Sequence, residues 1–192
     1  LFSRTVDTGI EHGTVTVMLG KEGFEVTTYR VDGEYEDGRH PKEVTFTRSL
    51  TEDLKRRDFT INAMAYNDTD RLVDPFGGMK DLNGHLIRCV GDPMERFSED
   101  ALRILRAVRF SAQLAFPIED KTAAAIRVLA PTLNKISAER IRVELTKLLM
   151  SDHPELINDA CELGITKVIL PEWDAMVGVH QNIRHHIFDV DR

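Results

Sequence analysis

Cysteine is scarce in this chain: of 192 residues, only Cys89 and Cys161 carry a thiol, and neither stands in a C-x-x-C pair. That excludes a disulfide framework and a cysteine-built zinc site, and it favours a reducing, cytoplasmic setting. Long apolar runs are missing too. No stretch approaches the ~18 consecutive apolar residues that a membrane span needs, and no signal-peptide pattern opens the chain, which begins on Leu1 rather than Met. Positive charge is not in excess either, since 25 Lys and Arg stand against 32 Asp and Glu, a net charge of −7. A general nucleic-acid coat is thereby excluded, and any RNA contact must come from local basic patches or from other parts of a larger protein. There is no internal repeat and no low-complexity segment. What is present, 42% hydrophobic and 30% charged residues, is enough to build a globular core.

The early chain reads as sheet. Residues 14–19 (TVTVML) and 24–29 (FEVTTY) are β-branched and aromatic, GKEG separates them, and together they predict a hairpin. Residues 43–47 (EVTFT) predict a third strand, after the polar, glycine-containing loop VDGEYEDGRHP. From residue 51 the pattern turns helical, with Thr51 expected to cap and Glu52 and Asp53 in the first turn. A short strand pair near 72–73 and 86–90 is expected to close the sheet region. Beyond Asp92 the reading is all helix. Asp92-Pro93-x-Glu95 supplies a cap, a first-turn proline and a capping-box glutamate. Ser98 is expected to cap a helix over 99–114, Ile118–Leu129 follows, Ser137 caps 138–150, and Asp152 caps a helix that Gly164 ends.

Four motifs stand in order along this frame. They are RRDFTIN at 56–62, DPFGGMKDL at 74–82, EDALR at 99–103 and ISAERIRVEL at 136–145. In this order they resemble the class II tRNA nucleotidyltransferases, the CCA-adding enzymes and their close relatives the bacterial poly(A) polymerases. The resemblance covers nearly the whole chain. It implies an α+β protein: an incomplete nucleotidyltransferase (polymerase-beta-like) head sheet over 1–85, then an all-helical neck and RNA-binding domain over 86–170. Residues 171–192 would begin a body or HD-type segment. The family opens with a GG-x-x-RD turn and a strand-borne Asp-x-Asp pair that bind phosphate and two metal ions, and neither precedes the RRDF motif here. The chain therefore reads as an internal fragment of a longer enzyme, one expected to transfer no nucleotide by itself.

The resemblance assigns base selection to EDxxR, hence to Glu99, Asp100 and Arg103. The chemistry agrees with it. Cytosine and adenine each present an amino donor beside a ring-nitrogen acceptor, whereas uracil and guanine present the reverse. A carboxylate accepts and an arginine donates, so a fixed Asp100/Arg103 pair complements C and A and mismatches U and G. Contacts of this bidentate kind discriminate by roughly 1–3 kcal/mol in groove readout. From spacing alone, an intrahelical ion pair worth ~0.2–0.5 kcal/mol accounts for the same residues. RRDFxxN is implied to contact ribose and triphosphate, through Arg56, Arg57, Asp58 and Asn62. Guanidinium groups clamp phosphate oxygens, and bonds from Asp58 and Asn62 to sugar hydroxyls would favour ribonucleotides. A solvated charged helix face is the alternative there.

Other positions carry narrower expectations. Glu25, mid-strand in FEVTTYR, corresponds to a carboxylate that the family places near its two-metal site, and it is the catalytic candidate; a solvent-facing glutamate is the alternative. Arg30 and Arg39 are weaker candidates. Asp74, Gly77, Gly78 and Asp81 resemble the family's hinge between head and neck. Arg106 is implied to contact nucleotide, while Arg109 reads as part of a solvated helix face and Arg140 as a brace for the neck. His180, His185, His186 and Asp189 resemble the start of an HD-type segment whose remaining ligands would lie beyond Arg192, so no metal site is assigned within the chain. For the parent enzyme the resemblance implies addition of C and A to tRNA 3′ ends from CTP and ATP, with Mg²⁺. A poly(A) polymerase and a nucleotide-binding, non-catalytic fragment are the alternatives. Ala101-Leu102, where the polymerases typically resemble E-D-P-V-R, leans toward tRNA maturation.

Overall fold

Alternating threonine and valine in 14–17 gives one strand two unlike faces, and the first sheet is built around it. In the computed structural model, which describes residues 2, 4–10, 13–33 and 44–180, strands β1 (Thr5–Gly9), β2 (Thr14–Leu19) and β3 (Glu22–Thr27) form an antiparallel sheet with β2 in the middle. The expected hairpin is β2–β3, with Val17 opposite Phe24, Thr16 opposite Glu25, and Val17 buried. Strands β4 (Arg30–Asp32) and β5 (Val44–Phe46) pair separately. Helix α1 (Leu50–Lys55) follows, capped by Ser49 rather than Thr51: the Ser49 hydroxyl accepts the Glu52 N–H at 3.3 Å.

The chain divides into two compact units between Arg57 and Asp58, upstream of the boundary expected near 85. The reason lies in the packing of 58–90. Strands β6 (Ala65–Asn67) and β7 (Arg71–Val73) form a local hairpin. Its turn is closed by the Asn67 side chain, which accepts the N–H groups of Thr69 and Asp70. That local closure replaces the expected pairing of 72–73 with 86–90. Residues 86–90 instead bridge Phe59 (through Cys89) and Ile118 (through Ile87), which ties them to the helical unit.

Helices α2 (Gly78–Asn83), α3 (Pro93–Glu99), α4 (Leu102–Leu114), α5 (Asp120–Leu129), α6 (Ala138–Leu149), α7 (Ile157–Glu162), α8 (Thr166–Ile169) and α9 (Pro171–Met176) complete this unit. Asp92 caps α3 through the Met94 N–H, with Pro93 in the first turn, as its sequence predicts. Ile104, Leu105, Val108 and Ala112 of α4 are buried at helical spacing, and they join Phe59, Phe97, Ile126, Leu133 and Ile165 in one core. Ser98 lies inside α3 and caps nothing; the helix breaks two residues later, at Asp100. Ser137 occupies its predicted cap position without a side-chain cap bond. Among the described residues no helix is long and apolar enough to cross a membrane.

Candidate nucleotide-binding site

Asp58 begins the second unit and its carboxylate is buried. One oxygen accepts the Phe59 N–H at 2.9 Å and the Asn62 amide at 3.5 Å. The other receives Nε and Nη2 of Arg106 at 2.7 and 2.6 Å, across 48 residues of sequence. Behind them Phe59 meets Phe110 edge-on, and the Arg106 guanidinium lies 5.4 Å from the Phe110 ring centroid. Asp58, Asn62 and Arg106 therefore form one cluster. A third of the Arg106 side chain stays exposed (34%).

The second cluster departs from the helix-face picture. Glu99 ends α3, Asp100 is extended (φ −143°, ψ 104°), and Arg103 stands in the first turn of α4. Asp100 thus does not share a helical face with Arg103. Short acidic side chains compete for backbone N–H groups and interrupt helices, and the Asp100 carboxylate does so here by accepting the Leu102 N–H at 3.0 Å. Its second oxygen accepts from Arg140 of α6 at 2.9 Å. Arg103 is held by Glu99 at 2.5 Å and by the Arg96 carbonyl at 3.1 Å, and Glu99 also pairs with Arg96. The two proposed base readers are fixed by different partners, and both are largely buried (side-chain exposure 17% and 11%). Arg140, read from sequence as a brace, braces Asp100 itself.

In the first unit Asp53 is the centre that sequence reading missed. It is buried and pairs with Arg56 at 2.7 Å and Arg57 at 3.5 Å, and it also accepts the Arg30 backbone N–H. Asp32 adds ion pairs to Arg30 at 3.0 Å and to Arg56 at 3.7 Å. The signal was available: Asp53 precedes Arg56 and Arg57 by helical spacing. Glu25 lies exposed on the edge strand β3, with no side-chain hydrogen bond or ion pair to the described residues. Arg39, His185, His186 and Asp189 fall outside the described residues. No three His, Cys, Asp or Glu side chains among the described residues converge where a metal could sit. The described residues therefore do not fit the Mg²⁺ ions that the resemblance implies.

One further placement corrects the sequence reading. Arg109 is not solvated. It is buried, donates to Glu144 of α6 at 2.6 Å and to Gln113 at 2.6 Å, and lies 3.7 Å over the Phe110 ring. The glycine turn is tightly built: Gly77 takes φ +75°, and Asp74 accepts the N–H groups of Gly78 and Met79 at 2.7 and 2.9 Å. A Cβ on Gly78 would stand 2.2 Å from the Thr60 carbonyl oxygen, so only glycine fits. Nearby, burial pushes the Cys89 thiol up to about 12, with the Asp58 charge adding to the effect.

The chain has counterparts among known proteins. The chain matches the model of the poly(A) polymerase head domain over residues 1–88. It also matches that of a probable RNA and SrmB-binding site of polymerase A over residues 115–177. It is 57% identical over 150 residues to a CCA-adding enzyme of Enterococcus faecalis, which covers 78% of this chain and 37% of that protein. A CCA-adding enzyme of Streptococcus suis is 56% identical over 152 residues, covering 79% and 38%. The crystal structure of the Bacillus stearothermophilus CCA-adding enzyme in complex with CTP matches with a TM-score of 0.78 at 44% identity, over 85% of this chain and 40% of that one. The Thermotoga maritima CCA-adding enzyme complexed with tRNA matches at 0.68 and 28% identity, over 93% and 39%. The chain thus spans less than two fifths of the length of these curated relatives. With its four motifs in order, an α+β fold that matches the CTP-bound structure and more than half of the residues aligned with the curated relatives identical, the chain belongs to the family of class II tRNA nucleotidyltransferases and bacterial poly(A) polymerases.

Proposed function

We propose that the complete protein adds C and A nucleotides to the 3′ ends of tRNA in the cytoplasm, using CTP and ATP and no nucleic-acid template. The observation that carries this reading is the pair Asp100 and Arg103, each anchored by its own ionic partner, Arg140 for one and Glu99 for the other. An acceptor and a donor fixed in this way are complementary to the Watson–Crick edges of cytosine and adenine. Asp58 and Asn62 take the ribose, Arg106 assists them, and Arg56 and Arg57 keep the phosphate role that their chemistry suits. Asp100 and Arg103 discriminate in binding and leave the reacting atoms to other groups. Mg²⁺ would supply charge neutralisation on the phosphates, held by carboxylates other than those gathered here. The similarity to a structure that binds CTP supports this reading, and 1–85 and 86–170 remain the proposed head and neck.

The test replaces Asp100 and Arg103 together with alanine in the complete protein. Incorporation of UMP and GMP should rise relative to CMP and AMP while the melting curve stays cooperative. An unchanged preference for C and A would refute the assignment. Long A-tails made from ATP alone on a tRNA substrate would identify a poly(A) polymerase instead. The 192-residue chain by itself should bind nucleotide without transferring it, and CMP transfer to tRNA by this chain would overturn that expectation.

A further inference from the structure

A polar chain, buried at Thr60, Asp81 and Thr122 and partly exposed at Arg88 and Glu119, lies beside the Asp58–Asn62 turn, and no part of the proposed nucleotide contacts uses it. The Thr60 hydroxyl donates to Asp81 Oδ2 at 2.7 Å, and the same oxygen receives Arg88 Nε at 3.0 Å. Arg88 Nη1 reaches Glu119 Oε1 at 3.4 Å, and Glu119 Oε2 accepts from the Thr122 hydroxyl at 2.7 Å. That hydroxyl in turn accepts the Cys89 backbone N–H at 3.3 Å. Thr60, Asp81 and Thr122 are all nearly sealed from solvent. The backbone is clamped at the same place, because Thr60 N–H donates to the Arg88 carbonyl at 2.9 Å and Val90 N–H to the Asp58 carbonyl at 3.0 Å.

Such a chain is costly to bury. Apolar residues of the same shape in its place are often as stable or more so. What a polar chain adds is direction: it fixes where the 3₁₀ turn Thr60–Asn62 sits along the 88–90 segment. Asp58 and Asn62 flank Thr60 on both sides, so their side chains take their positions from that anchor. The base-reading pair is held by Arg140, Glu99, the Arg96 carbonyl and the Leu102 N–H. None of those groups belongs to the buried chain.

We propose that Thr60, Asp81, Arg88 and Glu119 are positioning residues for ribose recognition: they hold the 58–62 turn in register, so that the enzyme tells CTP from 2′-deoxy-CTP. This rests on the assignment of Asp58 and Asn62 to the sugar. A deoxy analogue is rejected because it leaves buried partners unpaired, and that penalty survives only while the partners stay in place. The expectation is a split between two selectivities, which loss of structure alone would not produce.

The experiment measures kcat/KM for CTP, 2′-deoxy-CTP and UTP in the complete protein, for Thr60→Val, Thr60→Ser, Arg88→Gln and Asn62→Ala. Thr60→Val and Arg88→Gln should lower the CTP to 2′-deoxy-CTP ratio about tenfold, a fraction of the roughly hundredfold that a misplacement of about 1 Å can cost. The CTP to UTP ratio should hold in both. Thr60→Ser, which keeps the hydroxyl, should behave as the parent. Arg88 is partly exposed (38%), so its glutamine variant keeps the test decisive if Thr60→Val does not fold. A sugar ratio that falls in Asn62→Ala but not in Thr60→Val or Arg88→Gln overturns the positioning role and leaves the ribose assignment standing. A ratio unmoved in Asn62→Ala overturns both. Equal losses in the sugar and base ratios would mean general loosening and would also end the proposal.

Discussion

Consider removing one half of the buried pair between Arg109 of α4 and Glu144 of α6. The two are almost sealed from solvent (6% and 5% exposed) and 2.6 Å apart. Breaking a buried pair by deleting one partner costs about 3–5 kcal/mol, because the other charge is left uncompensated. Residual partners moderate this on both sides. Without Glu144, Arg109 keeps the Gln113 carbonyl oxygen at 2.6 Å and the Phe110 ring at 3.7 Å. Without Arg109, Glu144 keeps half-exposed Lys147 at 3.7 Å. Each single variant, Glu144→Ala or Arg109→Met, should therefore sit at the lower end, about 3 kcal/mol, which for a chain of this size is a fall of about 6–12 °C in Tm. The double variant Arg109→Met with Glu144→Leu buries no charge, and it should recover most of the loss. Urea titration with an unchanged m-value would measure all three. If the double variant costs as much as the two singles added together, the residues are not coupled and the ionic account is wrong.

Three other outcomes follow from neighbouring features. Gly78→Ala should be among the most damaging single methyl additions, since the new carbon would meet the Thr60 carbonyl at 2.2 Å, and thermal melting of the variant would show it. Arg140→Gln should reduce discrimination between CTP and UTP without altering that between CTP and 2′-deoxy-CTP, because its guanidinium holds Asp100 alone among the proposed nucleotide contacts. Cys89, with its thiol pushed up to about 12, stays protonated in the folded chain at pH 8, so iodoacetamide should modify it only after denaturation. The sign of the linked pH effect is fixed: the unfolded thiol ionises near 9.0 and the folded one near 12, so this group's contribution is intact below 9 and declines as pH rises between those values.

The sequence carried the outline of the fold because the outline depends on local chemistry. Asp92-Pro93 fixed the start of α3, and the alternation of 14–17 fixed β2. Long-range ion pairs were harder to see. Nothing local distinguishes Arg109, which is buried against Glu144, from Arg106, which reaches back to Asp58, because both recur at a three-residue interval on α4. The break at Asp100 was hidden for a related reason. A carboxylate can extend a helix or end it; here one Asp100 oxygen captures the Leu102 N–H while Arg140, 40 residues away, takes the other. The boundary expected near 85 was drawn from a change in composition, which carries no information on packing. The division into compact units between Arg57 and Asp58 follows the backbone clamp of 58–60 on 88–90.

The interruption between α3 and α4 has a bearing on how such an enzyme can change its choice of letter. Asp100 belongs to neither helix and answers to a third, so on the proposed assignment nucleotide preference would be a property of three elements meeting and not of a short word in the sequence. Grafting EDALR alone onto another helical hairpin should confer no taste for C or A. Drift in α6, far along the chain, could retune that taste with the word itself left intact.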